Sequence, residues 1–191
     1  MAVHLLALAG SARRDSWNLK LLHAMAEGAQ AGGATVTVID WAQYRLPVFN
    51  EDEERAGVPP EARALKQLMQ KADGFLIAAP ENNGGYSALI KNAIDWASRA
   101  MPGDIPGAVF KNKPVSLAGA TTGRWGAVRS IRQLREVLGY LGCIVLPDTV
   151  SINEAGKAFD AQGRIADEKS RALAQAVGAA TARAVAALKN L

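Results

Sequence analysis

Five short apolar runs, each followed by a helical pattern, restrict this chain to few folds. The runs are Val3 to Ala9, Thr35 to Asp40, Phe75 to Ala79, Pro114 to Ala118 and Cys143 to Leu146. Runs of this length and β-branched content suit strands. A first helix is expected from about Ser16 to Gly28, with Leu22, Met25 and Ala29 on its inner side and Gly32-Gly33 ending the unit. Pro59-Pro60 opens a second, striped by Leu65, Leu68, Met69 and Ala72 and broken at Asp73-Gly74. Leu89, Ile90, Ala93, Ile94 and Ala97 mark a third. Ala127, Ile131, Leu134, Leu138 and Leu141 mark a fourth, closed by Gly142, and Leu173, Val177, Ala180, Ala184 and Leu188 mark a last. Between Trp41 and Val58 the pattern fails, and an exposed loop is expected there. Val150 to Ile165, with the turn signal Gln162-Gly163, reads as a small hairpin or an irregular connection.

Apolar strands alternating with helices imply a parallel sheet covered on both faces. Right-handed crossovers leave few topologies. The order 2-1-3-4-5 is expected: an α/β, flavodoxin-like three-layer sandwich, with residues 1–191 forming a single domain. In that order the loops after the first and third strands flank the switch point, where ligands bind.

The first of those loops lies in Ala9 to Leu22, AGSARRDSWNLKLL. Gly10 permits a tight turn and close approach to a ligand. Ser11 and Ser16 offer hydroxyls, Asn18 an amide, and Arg13 a cationic fork. Ser16 also fits an N-cap, so the unpaired N–H groups of the next turn would point into the loop, a geometry that favours phosphate. Any βα turn with a capping serine shares part of this pattern; the number of donors tips it toward an anion site. Neither the G-x-x-x-x-G-K-[ST] nor the G-x-G-x-x-G pattern is present.

The loop after the third strand, Pro80 to Ser87, carries Asn82, Asn83, Gly84 and Gly85, which tolerate positive φ and expose backbone donors. Such donors suit the edge of a heterocycle, and Ser87 can cap the next helix. Gly119 to Gly126, after the fourth strand, is again small, hydroxylated and flexible. Three loops of this kind on one sheet edge suit a mononucleotide with a large ring system.

Composition narrows the remaining classes. No apolar run approaches the ~20 residues that span a bilayer, and the N-terminal run is too short for a signal peptide. One cysteine, Cys143, rules out an internal disulfide and fits a reducing cytoplasm. It sits among apolar neighbours, as a buried structural thiol would. With His4 and His23 the only histidines, no metal site is expected. The net charge of +4 comes from scattered basic residues, so no nucleic-acid surface is indicated.

Gly10-Ser11-x-Arg13-x-x-Ser16-x-Asn18 resembles the phosphate loop of the NADPH-dependent FMN reductase family, which includes flavin, quinone, azo-dye and chromate reductases. Pro80-Glu81-Asn82-Asn83 followed by Leu89-Ile90-Lys91-Asn92-Ala93-Ile94-Asp95-Trp96 resembles its second signature. Gly123 to Gly142, with Leu134-Arg135-Glu136-Val137-Leu138, is similar to its third loop and helix. The similarity runs from Val3 to about Pro147. It implies that Ser11, Arg13, Ser16 and Asn18 hold the FMN phosphate. It implies also that Pro80, Glu81, Asn82, Asn83 and Gly84 line the isoalloxazine, largely through backbone groups, with Gly119 closing the other side. Lys91, Asp95 and Trp96 match structural or interfacial positions. The family usually has tyrosine where this chain has Asn82.

The implied activity is hydride transfer from NADPH or NADH to flavin N5, then two-electron reduction of a quinone, azo compound, metal oxyanion or free flavin. No side-chain acid or base is required. Arg14 and Arg124 are candidates for the extra phosphate of NADPH, with solvated surface roles as the alternative. A homodimer or homotetramer in the cytoplasm is implied. The rival from another class is a flavodoxin-like electron carrier; such carriers are generally acidic, and this chain is basic. A phosphatase would need a nucleophile in the first loop, and Ser11 has no evident partner base. A receiver domain would need aspartate where Pro80 stands.

Overall fold

A computed structural model describes residues 2–101, 103–105 and 107–190. The strands are β1 (Val3–Ala9), β2 (Ala34–Val38), β3 (Gly74–Ala78), β4 (Pro114–Ala120) and β5 (Ile144–Ile152). The helices are α1 (Trp17–Ala31), α2 (Glu51–Ala56), α3 (Pro60–Lys71), α4 (Ala88–Ser98), α5 (Val128–Tyr140), α6 (Ala155–Ala158) and α7 (Glu168–Lys189). All strand pairs are parallel, in the expected order β2-β1-β3-β4-β5.

Strand pleating divides the apolar side chains into two cores. Leu5, Ala7 and Ala9 of β1 face α1 and α7, whereas Leu6 and Leu8 face the layer of α3, α4 and α5. The central β3 and β4 are buried throughout, so they read as continuous apolar runs. β5 is an edge strand and mostly exposed or half-buried, which corrects the buried strand expected there. It also runs on to Ile152 through an irregularity opposite Val115–Leu117, in the stretch that holds Pro147; Val150 to Ile152 thus belong to the sheet. The turn at Gln162-Gly163 does close a short hairpin, with Phe159 bridging Ile165.

Two other expectations are corrected. α1 continues to Ala31, because Gly28 is a packing residue and Gly32 is the cap. A Cβ on Gly28 would lie 1.9 Å from the Gln175 carbonyl oxygen, and one on Gly178 would lie 1.8 Å from that of Met25. α1 and α7 therefore touch backbone to backbone. That contact also sets the face of α7: Ala174, Val177, Gly178, Thr181, Ala182 and Val185 are buried, while Leu173 and Leu188 are exposed and Ala180 and Ala184 half-buried. Thr181 donates to Ser116 Oγ at 2.7 Å, which satisfies both buried hydroxyls across the α7–β4 contact.

An ion pair between buried Lys66 and half-buried Asp104 pins the segment after α4. Lys66, 3% exposed, reaches the Asp104 carboxylate and the Arg99 carbonyl. Asp104 also accepts from Met101 N at 2.7 Å and Gln70 Nε2 at 3.0 Å. Chiefly through Lys66, its carboxyl is held down at about 2. Cys143 is buried, and burial pushes its thiol up to about 12, as befits an inert structural residue.

Candidate functional site

The loops after β1, β3 and β4 converge on Ala79. Gly10 N donates to Ala78 O at 2.7 Å, and a Cβ on Gly10 would lie 2.8 Å from Ala79 Cα. From the other side, a Cβ on Gly119 would lie 2.7 Å from the Ala79 oxygen and 2.5 Å from Ala127 Cβ. Only glycine lets the three loops meet this closely.

The first loop feeds α1 through the expected cap: Ser16 Oγ accepts from Leu19 N at 3.4 Å. Ser11 Oγ accepts from Arg13 N at 3.3 Å. Arg14 and Asp15 form a hydrogen-bonded turn, and among the described residues the N–H groups of Ala12, Arg14, Asp15 and Trp17 donate no hydrogen bond of their own to the protein. The Arg13 guanidinium lies 5.5 Å from the Trp17 ring centre and 3.9 Å from Asp15. Asp15 is held by Lys20 at 2.5 Å, and this contact lowers its pKa. Asn18 departs from the role its motif position implied. Its side chain is buried and spans to β4, donating to Ala120 O and accepting from Ala120 N, both at 2.9 Å. It ties the first loop's helix to the third loop; what it can offer an anion is its backbone N–H.

In the second loop, Asn83 and Gly84 take φ of 52° and 79°, as their residue types allow. Asn82 and Gly85 exchange backbone hydrogen bonds at 2.8 and 3.0 Å. The Asn82 and Asn83 side chains are exposed. Pro80 abuts Gly10. The Glu81 carboxylate turns away to the start of α5, accepting from Arg129 N at 3.0 Å and pairing with its guanidinium. Gln133 donates to Gly84 O at 3.1 Å. Glu81 thus braces the second loop against the start of α5. Ser87 caps α4, accepting from Ile90 N at 3.4 Å.

In the third loop Thr121 N donates to Ile152 O at 3.0 Å, and Ser151 donates to Gly126 O at 2.5 Å. Trp125 is 67% exposed beside this edge, with Arg129 5.5 Å from its ring centre.

Within the exposed loop expected from Trp41 to Val58, residues 42–50 are irregular and exposed or half-buried, but the segment is anchored and is followed by the short helix α2. Trp41 is buried and donates to Ala9 O at 2.5 Å. Asn92 donates to Pro47 O at 2.8 Å and accepts from Phe49 N at 2.7 Å; Trp96 donates to the same Pro47 oxygen at 2.9 Å. Asn92 and Trp96, one turn apart on α4, form a latch. Their i, i+4 spacing is the signal in the sequence. Between the latched segment and the first loop lies a cavity of about 670 Å³.

The residues present fit an FMN. A row of unpaired N–H groups at a helix start suits a phosphate, and two backbone-lined loops that glycines hold at contact distance suit a flat ring. A family model described as NADPH-dependent FMN reductase matches residues 3–157, which include all three loops. The chain belongs to the NADPH-dependent FMN reductase family. It is accordingly an FMN-dependent oxidoreductase that uses NAD(P)H. An NAD(P)H-dependent FMN reductase of Pseudomonas aeruginosa is 37% identical over 174 residues, covering 91% of this chain and 90% of that one. A 2-hydroxy-1,4-benzoquinone reductase of a Burkholderia species is 34% identical, covering 90% of each chain. Among solved structures, a flavoenzyme NAD(P)H:(acceptor) oxidoreductase of Paracoccus denitrificans superposes with a TM-score of 0.79 at 26% identity, covering 97% of this chain and 98% of that one.

Proposed function

We propose that this FMN reductase holds the FMN phosphate in the β1–α1 loop and the ring system between the β3–α4 and β4–α5 loops. The observation that carries this is the set of unbonded N–H groups at the start of α1, directly beside the contact of Gly10 and Gly119 with Ala79. Ser11, Arg13 and Ser16 supply side-chain donors to the phosphate, and Asn18 its backbone N–H. Pro80, Glu81, Asn82, Asn83, Gly84 and Gly119 present main chain to the ring. Bound FMN supplies the chemistry, accepting hydride from NAD(P)H and passing two electrons on. The protein orients the two partners and keeps the loops fixed through Glu81–Arg129 and Asn18–Ala120.

The acceptor is proposed to be a quinone, a class named for the Burkholderia relative. The exposed Asn82 side chain leaves the ring-side entrance open where the family usually carries tyrosine. Assembly as a homodimer or homotetramer in the cytoplasm completes the proposal; Val48, 82% exposed on the latched segment, is an apolar contact ready for a second copy. Arg13→Ala tests the phosphate placement. FMN titration is expected to show a loss of about 1.5–3 kcal/mol, the worth of a charge-assisted hydrogen bond. Unchanged affinity would place the phosphate elsewhere.

A further inference from the structure

The cavity on the β2 side of the first loop has the size of a small-molecule site. It shares Ser11 and Arg13 with the proposed phosphate loop, but its other walls belong to neither ring loop. Arg14 comes from the first loop, Arg45 and Tyr44 from the latched segment, Asp40 from the end of β2, and Leu89 from the first turn of α4.

Arg14 and Arg45 are exposed, and among the described residues neither meets a carboxylate. Two guanidinium groups on the wall of one cavity, neither engaged by a carboxylate, offer planar donor forks to a phosphate dianion. The one carboxylate on the wall is already engaged in its own turn, where Asp40 accepts from Ala42 N at 3.0 Å and Gln43 Nε2 at 3.3 Å. Tyr44, Leu46 and Leu89 supply a partly apolar wall for a ring. In the dinucleotide-binding form of the doubly wound sheet an acid after the second strand binds the ribose hydroxyls and an arginine nearby takes a 2′-phosphate; this chain lacks that form's glycine fingerprint but has Asp40 and Arg45 after its own second strand. Leu89 places one wall of the cavity on the helix that follows the 80–84 loop.

We infer that this cavity receives the adenosine end of NADPH, with Arg14 and Arg45 on the ribose 2′-phosphate and Tyr44 beside the base. The inference rests on the flavin placement above. It makes the 2′-phosphate, not the nicotinamide, the feature by which the protein selects its reductant.

The test uses FMN-loaded protein and the variant Arg45→Ala, whose position lies on the cavity wall outside the phosphate loop. The KM for NADPH is expected to rise about tenfold or more, the equivalent of one lost charge-assisted contact. The KM for NADH should stay within about threefold, and FMN affinity should not change. 2′,5′-ADP should compete with NADPH in the wild type and lose its hold in the variant. An unchanged KM for NADPH, an equal rise for NADH, or a loss confined to FMN affinity would each overturn the assignment. The flavin placement fails on a separate result, unchanged FMN affinity in Arg13→Ala.

Discussion

A single methyl group on Gly119 tests how the site is assembled. In Gly119→Ala the new Cβ would lie 2.5 Å from Ala127 Cβ and 2.7 Å from the Ala79 carbonyl oxygen. Carbon atoms pack best at about 3.5–4.0 Å, so roughly 1 Å of movement is required. β4 cannot supply it: it is hydrogen-bonded to β3 and β5 and buried along its length. Ala127 is fully buried at φ 66°, and the start of α5 is braced by Glu81. The strain therefore falls on the third loop and on the turn into α5. Overpacking of this kind costs about 1–3 kcal/mol, which in a chain of this size lowers Tm by about 2–12 °C. The loop shift should also weaken FMN by at least about tenfold, since loosening one wall around the ring costs on the order of 1.4 kcal/mol. Urea unfolding monitored by circular dichroism and quenching of FMN fluorescence read the two effects. Gly139→Ala is the control: it lies on the exposed side of α5 with nothing within 4 Å, and alanine should stabilise the helix by up to about 1 kcal/mol. If Gly119→Ala matches the wild type in both stability and FMN affinity, the close meeting of the three loops at Ala79 does not shape the site.

Two further outcomes are expected. Asp104→Asn leaves Lys66 as a buried cation without its carboxylate, and should cost about 3–5 kcal/mol in chemical unfolding. Replacing the pair together, Lys66→Met/Asp104→Leu, should recover most of that; no loss in the single variant would refute the role of the pair. Because folding lowers the Asp104 pKa from 3.8 to about 2, this contribution is present above about pH 4 and fades as pH falls toward 2, so the wild type should lose stability more steeply there than Asp104→Asn. Light scattering should find the wild type as a dimer or tetramer and Val48→Asp shifted toward monomer; a monomeric wild type would remove the proposed assembly.

The topology is legible because its signals are local and repeated: buried strands as apolar runs, helix starts as capping serines at Ser16 and Ser87. What the sequence hides depends on distant partners. Asn18 reads as one more donor in the loop until Ala120, 102 residues away, is seen to occupy its amide. Nothing near Glu81 in the chain shows that its carboxylate is engaged by Arg129, 48 residues away. The face of α7 is misread when leucine stands as the mark of burial, because Gly178 and Thr181 mark the contact that decides it. The short α2 does carry a local signal: Asn50 caps it, and four acids fill its first turn, where the helix dipole favours them. The prolines on either side of it mask that signal. The β2-side cavity has no motif at all, since Arg14 and Arg45 line one cavity only through the fold that brings the 41–50 segment beside the first loop.

The contact between α1 and α7 reaches further than its position suggests. α7 lies beyond the residues the family model matches, yet Gly178 seats directly on the Met25 carbonyl of the helix whose N-terminus is proposed to hold the phosphate. The last helix acts as a keel for the site. A bulkier residue at Gly28 or Gly178 would lever α1 off the sheet and re-aim its N-terminus, the end proposed to hold the anion, although neither position belongs to the three loops proposed for the flavin.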